Sequence, residues 1–348
     1  MNTSSCLFPR IDALDGQLPW PERYRPKLID DIVSHEMIIK SLKNFIMNKT
    51  LPHMLFFGQS GTGKTSTIMC CTKEIYGDYE DCMVLRLNAS NERGIETVRV
   101  KIKSFVSNQN SIFFQPEQQR GKPKMFKLVI LDEIDSMTVE AQGMLRQSIE
   151  KNSASTRFCL ICNNIDKVNP ALRSRCAAFH FMPLKPIHMK KRLGEIRDLE
   201  NISCGDDVLD VIMSLSKGDM RNAINILQST KSFGNQRVLI NDIYKISGFC
   251  LPSIIGEIYD VLICLMKGER KLFQTVNKIT DIVCENNITI FNLLDELKNL
   301  VMSRELTTTE KIYLIDNFAK NEEYDSVSVD QKNLIMNIAS LFVLVNKN

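Results

Sequence analysis

MLFFGQSGTGKT, residues 54 to 65, is the stretch on which the fold turns. Four apolar residues run into a turn with glycines at 58, 61 and 63, and Lys64 and Thr65 follow at once. TSTIMCCTKEIYG then carries a helical pattern that stops at Gly77, a residue suited to cap a helix C-terminus. Strand, glycine turn and helix in that order make a phosphate cradle. The glycines let successive backbone N–H groups converge at a helix N-terminus, where anions are stabilised. A lysine in this place reaches the β- and γ-phosphates, and the following hydroxyl faces Mg²⁺. Gly58, Gln59, Ser60, Gly61, Thr62, Gly63, Lys64, Thr65 and Ser66 are therefore candidate nucleotide-binding residues, with ATP and Mg²⁺ as the expected cofactors.

Outward from the turn, VLRLN (84 to 88), KLVILD (127 to 132) and FCLICN (158 to 163) read as further strands beside MLFFG (54 to 58). Between them lie the helical patterns GIETVRVKIKSFV and TVEAQGMLRQSIEK, the second with Thr138 as its N-cap. This alternation predicts an α/β fold, a doubly wound parallel sheet covered by helices. SNQNSIFFQPEQQRGKPK (107 to 124) reads as a polar loop in which Phe113 and Phe114 pack back locally. Pro183 and Pro186 mark a boundary, beyond which the pattern is helical. Three domains are expected: an α/β domain over 1–183, a helical lid over 184–247 and a helical collar over 248–348.

KLVILDEID ends a buried strand in carboxylates, which are comfortable only at the solvated edge of the sheet. Asp132 is expected to hold Mg²⁺ through water, and Glu133 to act as general base on an attacking water. Asp135 lies past the strand and reads as a helix-start or surface carboxylate.

Composition limits the classes open to the chain. Of its 348 residues 44% are hydrophobic and 24% charged, the balance of a globular protein rather than a disordered one. No apolar run is long enough for a bilayer span, and the first twenty residues do not read as a signal peptide, so an intracellular protein without a membrane partner is expected. A net charge of +3 sets up no global field toward nucleic acid, so any such surface must be local. Eleven cysteines without framework spacing point to reduced thiols, and the CxxC of Cys159 and Cys162 lies in an apolar strand with no second pair to complete a zinc site.

Further motifs lie in order along the chain: PWPERYRP (19 to 26), LNASNERGIETVR (87 to 99), LDEIDSMTVEAQGMLRQ (131 to 147), STRFCLICNN (155 to 164), ALRSRC (171 to 176) and GDMRNAINILQ (218 to 228). With the phosphate loop they resemble the small subunits of replication factor C, the sliding-clamp loader of the AAA+ class. The likeness covers residues 19 to about 230 by motif and the rest by helical character. It implies that Pro21 and Arg25 flank the adenosine with Val33 nearby, and that Asn163 positions water against the γ-phosphate. It implies a second sensor at Arg221. Arg175 of the SRC element would reach the ATP of a neighbouring subunit, with Arg173 as a rival. Arg99, Lys103, Gln142, Arg146 and Lys151 would follow a DNA backbone. Other clamp-loader subunits, a sliding clamp and primer–template DNA are the implied partners, and the nucleus the implied location.

Departures from the family pattern are Pro21 for its Val, Gln59 and Ser60 for its Pro-Pro pair, Ile134 for its Ala, and Gln147 for the second arginine of LRR. None removes a catalytic group. Two other functions share the nucleotide motifs: another AAA+ remodeller, such as a helicase loader or junction motor, and a scaffold that binds nucleotide with little turnover.

Overall fold

The structure, a computed structural model, describes residues 18–32, 34–90, 95–107, 126–233, 237–286, 288–304, 306–325 and 330–345. Val33 and the stretch holding Phe113 and Phe114 lie outside the described residues.

Five strands, β1 Met54–Phe57, β2 Val84–Asn88, β3 Lys127–Asp132, β4 Thr156–Cys162 and β5 Ala177–His180, form one parallel sheet in the order β2-β3-β4-β1-β5. The first four lie where the apolar runs predicted. β5 was not expected: AAFH is short and half-exposed, and it reads as strand only once it is paired with β1, Met54 opposite Ala177.

β3 and β4 are apolar without alternation, because both faces of the sheet are covered. The two-residue period sorts their side chains between two cores. Met54, Phe56, Leu128, Ile130, Cys159 and Ile161 pack on one face, with Ile39 and Leu42 of α2 (Glu36–Met47) and Ile68 and Cys71 of α3 (Lys64–Tyr76). Leu55, Val129, Leu131, Phe158, Leu160 and Cys162 pack on the other, with Ile102 of α5 (Ile95–Ser107) and Leu145 and Ile149 of α6 (Val139–Asn152). The two cysteines of the CxxC are buried on opposite faces of the sheet, Cys159 in the first core and Cys162 in the second, and no group of three or more potential metal ligands occurs among the described residues. α1 (Trp20–Arg23), α4 (Glu80–Met83) and α7 (Pro170–Arg173) are single turns.

From Pro186 the chain is helical: α8 Pro186–Leu199, α9 Asp206–Ser216, α10 Met220–Thr230, α11 Ile240–Ser247, α12 Pro252–Met266, α13 Leu272–Glu285, α14 Ile290–Ser303, α15 Thr308–Asp325 and α16 Gln331–Val345. α14 shows why these are helices: Ile290, Leu293, Leu294, Leu297 and Val301 recur at helical spacing and are all buried. Gly248, in the left-handed region at φ 69°, ends α11. No single helix among the described residues is long and apolar enough to cross a membrane.

By contacts the chain forms two compact units. One runs to Glu200 and includes Ser216–Asn225; the other comprises Asn201–Leu215 and the chain from Ile226 on. The first holds the sheet, α8 and the start of α10. The second has a core of its own, in which Leu262, Leu297, Leu314, Leu334 and Phe342 are fully buried.

Candidate functional site

The strand order sets β1, β4 and β3 side by side, so the chain leaves the sheet at Gly58, Asn163 and Glu133 along one edge. At this edge an α/β sheet takes its ligands. Here the chain lines a cleft of about 220 Å³.

The phosphate loop has φ 140° at Gly58, 64° at Gly61 and 97° at Gly63, values that residues with a side chain rarely adopt. α3 begins at Lys64, as the motif requires. The Lys64 side chain is buried to 6% exposure and its ammonium donates to Gly58 O and Gln59 O, each at 2.7 Å, and to Asn163 Oδ1 at 3.0 Å. Burial lowers its pKa, and the nearby Asp132 charge works in the opposite sense. The lysine is thus held at the floor of the cleft, and phosphate oxygens would replace the carbonyls it now bonds. Thr62 closes the loop with a bond from Oγ1 to Gln59 O at 2.9 Å.

Thr65 Oγ1 donates to Asp132 Oδ2 at 2.8 Å. A hydroxyl and one carboxylate are hard oxygen donors, and they fit Mg²⁺, which keeps several waters and substrate oxygens rather than a full protein cage. Glu133 follows in the left-handed region at φ 57°, a conformation that costs a residue with a side chain about 1–2 kcal/mol. Its N–H donates to Asp132 Oδ1 at 2.9 Å and its carbonyl accepts from Ser136 N at 3.0 Å, so the bend is held from both sides. Glu133 lines the cleft beside Asp132.

Asp135 has a function that the sequence did not disclose. Its Oδ2 accepts the N–H groups of Asn163 at 3.2 Å and Asn164 at 3.1 Å, which fixes the end of β4 and keeps the Asn163 amide within reach of Lys64.

Pro21 and Arg25 line the opposite wall, and Arg25 pairs with Glu22 at 2.8 Å. Tyr24 and Ile32, which sequence reasoning passed over, line the same wall. The Tyr24 hydroxyl donates to Glu200 at 2.6 Å, Arg23 pairs with that carboxylate at 2.7 Å, and Arg192 of α8 donates to Tyr24 O at 3.0 Å. Burial, then Glu200, pushes the Tyr24 pKa up to about 12. His188 and Arg192, four residues apart on α8, also line the cleft; nothing in their spacing alone marked them. Arg221 lines it from the first turn of α10, whose Met220 N–H donates to Gly61 O at 3.2 Å.

Arg175 is not among the residues lining this cleft. It is surface-exposed after α7, with Nη1 donating to Ala171 O at 2.8 Å and Nη2 paired with Glu150 at 2.5 Å. Arg173, its rival, lies 4.0 Å from Asp166. Arg99 and Lys103 on α5, and Arg146 and Lys151 on α6, are exposed.

Gln142 requires a correction. It is buried to 2% exposure, its amide nitrogen reaches Ile134 O, Met137 O and Lys167 O at 3.0–3.4 Å, and its Oε1 accepts Asn169 N at 2.7 Å. It ties α6 to the turn after β3 and to the start of α7, and it is not a surface contact for DNA. The family resemblance implied otherwise, because sequence alone does not show which polar residues of a helix turn inward.

The AAA profile, "ATPase family associated with various cellular activities", matches residues 54–184. Two solved forms of RuvB from Thermotoga maritima share the fold. One has a TM-score of 0.51 at 15% identity, over 79% of this chain and 91% of that one; the other, titled a Holliday junction branch migration motor, has 0.50 at 16%, over 76% and 86%. Curated relatives lie much nearer in sequence. A chain named as a replication factor C small subunit of Acanthamoeba polyphaga mimivirus is 59% identical, covering 95% of both chains. Replication factor C subunit 5 of Homo sapiens is 39% identical over 93% of this chain and 91% of its own, and subunit 3 of Schizosaccharomyces pombe 39% over 91% and 88%. Identity at this level along nearly the whole length, with the AAA match over the sheet, places the chain in the replication factor C small-subunit family of AAA ATPases.

Proposed function

We propose that the chain is one small subunit of a heteropentameric clamp loader, which opens a sliding clamp, places it on primer–template DNA and releases it. The observation that carries this reading is the separation of two half-sites on one chain. Lys64, Thr65, Asp132, Glu133 and Asn163 meet at one sheet edge, while Arg175 stands exposed outside that cleft. A chain so built completes its neighbour's site and needs a neighbour to complete its own.

In this reading ATP lies with its phosphates over the loop from Gly58 to Ser66 and its adenosine against Pro21, Arg25 and the wall that includes Tyr24. Mg²⁺, held by Thr65 and through water by Asp132, supplies charge neutralisation at the phosphates when bound. Glu133 takes the proton of the attacking water, and Asn163 orients that water through an amide that both donates and accepts. Arg221 reads the bound nucleotide from α10. Arg175 neutralises transition-state charge in the next subunit, so hydrolysis belongs to the assembled ring. The α/β domain, lid and collar divide at 183/184 and 247/248, the collar holding the ring together. Arg99, Lys103, Arg146 and Lys151 contact the DNA backbone, so binding is tolerant of sequence and sensitive to salt. The replication role carries with it a nuclear location.

The test is recovery of the native complex through a tag on this chain, with mass spectrometry and ATPase assay. Four related AAA+ chains, a sliding clamp, and ATPase stimulated by clamp and primer–template DNA are expected. A homohexamer, or turnover indifferent to the clamp, overturns the reading.

A further inference from the structure

Arg175 is held by two elements. Its Nη1 is bound within its own turn by Ala171 O at 2.8 Å, but its Nη2 is bound by Glu150, three turns along α6, at 2.5 Å. The oxygen that takes it, Oε1, also accepts Nε of Arg146, one turn earlier on α6, at 3.2 Å. Two guanidinium groups therefore share a single carboxylate oxygen, one of them proposed to complete a neighbour's ATP site and the other to meet DNA.

We propose that Glu150 is the positioning residue for Arg175, and that Arg146 competes for it, so that a DNA phosphate drawing off Arg146 leaves the carboxylate wholly to Arg175 and sets that arginine for the neighbouring subunit's ATP. This rests on reading Arg175 as acting in trans and α6 as facing DNA.

Sharing is what gives the arrangement a direction. An anionic oxygen divided between two cations holds each less firmly than it would hold one. A guanidinium has five N–H donors in a rigid fork. With Nη1 and Nη2 both fixed by this chain, the remaining donors are pre-aimed, and pre-aimed donors avoid reorganisation in the transition state. A phosphate at Arg146 thus acts at Arg175 through one shared atom, without any larger rearrangement. The hydrogen bond from Arg146 and the charge of Arg175 hold the Glu150 carboxyl below the usual carboxylate range, so it stays ionised at neutral pH. Since the three side chains are partly exposed, the coupling is sensitive to salt rather than to pH.

The experiment compares ATPase of the complex recovered through this chain, with and without primer–template duplex. Glu150→Gln keeps shape and removes charge. It is expected to lower DNA-stimulated kcat by about tenfold to a hundredfold, up to the cost of a catalytic contact misplaced by about 1 Å, with the KM for ATP and the subunit composition unchanged. Arg146→Gln is expected to raise turnover in the absence of DNA and to flatten the response to DNA, and Glu150→Gln added to it is expected to abolish the rise. A merely structural Glu150 would give none of these opposite-signed effects. Arg175→Ala separates the failures. If it lowers turnover while Glu150→Gln leaves DNA stimulation intact, or increases it, the positioning proposal falls and the finger stands. If Arg175→Ala lowers nothing, both fall.

Discussion

At Gly58 a methyl group has nowhere to go. An added Cβ would lie 2.0 Å from the carbonyl oxygen of Phe181, and φ is 140°. Gly58→Ala is therefore expected to destabilise the chain by about 2–4 kcal/mol, a backbone-strain cost plus a displaced strand end, measured as a lower urea midpoint. Gly63, with nothing within 4 Å of its added Cβ, meets only the φ penalty, so Gly63→Ala is expected to be the milder change. His53 yields a pH dependence. Its Nδ1 accepts the Phe158 N–H at 3.2 Å, and burial, aided by the Arg157 charge, lowers its pKa from 6.5. The unfolded chain binds a proton that the native ring resists, so stability from this group is complete above pH 6.5 and declines as pH falls toward the lowered value. His35, lowered mainly by burial, works in the same sense. The urea midpoint is expected to drop between about pH 7.5 and about pH 5.5, and less steeply in His53→Asn, whose amide oxygen can accept the same N–H without titrating.

Among elements, α6 shows how far a helix can be read from its letters. The Thr138 cap and the buried pair Leu145 and Ile149 follow from pattern, and the cap bond to Ala141 N forms at 3.3 Å. What pattern does not give is which polar residues turn inward. Gln142 reads as surface and is interior, because it pairs with backbone groups that include Lys167 O and Asn169 N, 25 and 27 residues on. Gln142→Ala leaves those groups unpaired in a buried place, and a loss of about 2–4 kcal/mol is expected on thermal or urea melting. Arg146→Ala, on the exposed face of the same helix, is expected to change stability by less than about 0.5 kcal/mol. A loss at Arg146 comparable to that at Gln142 would contradict this division of α6. The same limit explains β5. Alternation within AAFH is too brief to read as a strand until Met54 is known to lie beside it. Asp135, likewise, binds two N–H groups 28 and 29 residues on, a separation that no local reading spans.

For the whole molecule, the phosphate loop, the acidic strand end and four of five strands were legible because each rests on local chemistry: glycine backbone freedom, a lysine at a helix start, carboxylates at a solvated edge. The second wall of the cleft was legible only in part. PWPERYRP pointed to Pro21 and Arg25, but the ties that hold that wall, Tyr24 and Arg23 to Glu200 and Arg192 to Tyr24, join residues more than 160 positions apart. The contact-based units also do not follow the chain in order, since Ser216–Asn225 belongs with the sheet while its flanks do not. Arg221, in that returning segment, is for this reason both remote in sequence and part of the cleft wall.

If this cleft splits ATP within a shared ring, Glu133 is the base on which its turnover depends. The direct measurement is ATP turnover and clamp loading by the recovered complex carrying Glu133→Gln in this chain alone, alongside nucleotide binding to the same complex. ATP binding is expected to persist while this subunit's turnover falls by about a hundredfold or more, the scale of a lost general base, and clamp release slows with it. Unchanged turnover and loading would remove Glu133 from the chemistry and leave the cleft a structural nucleotide site.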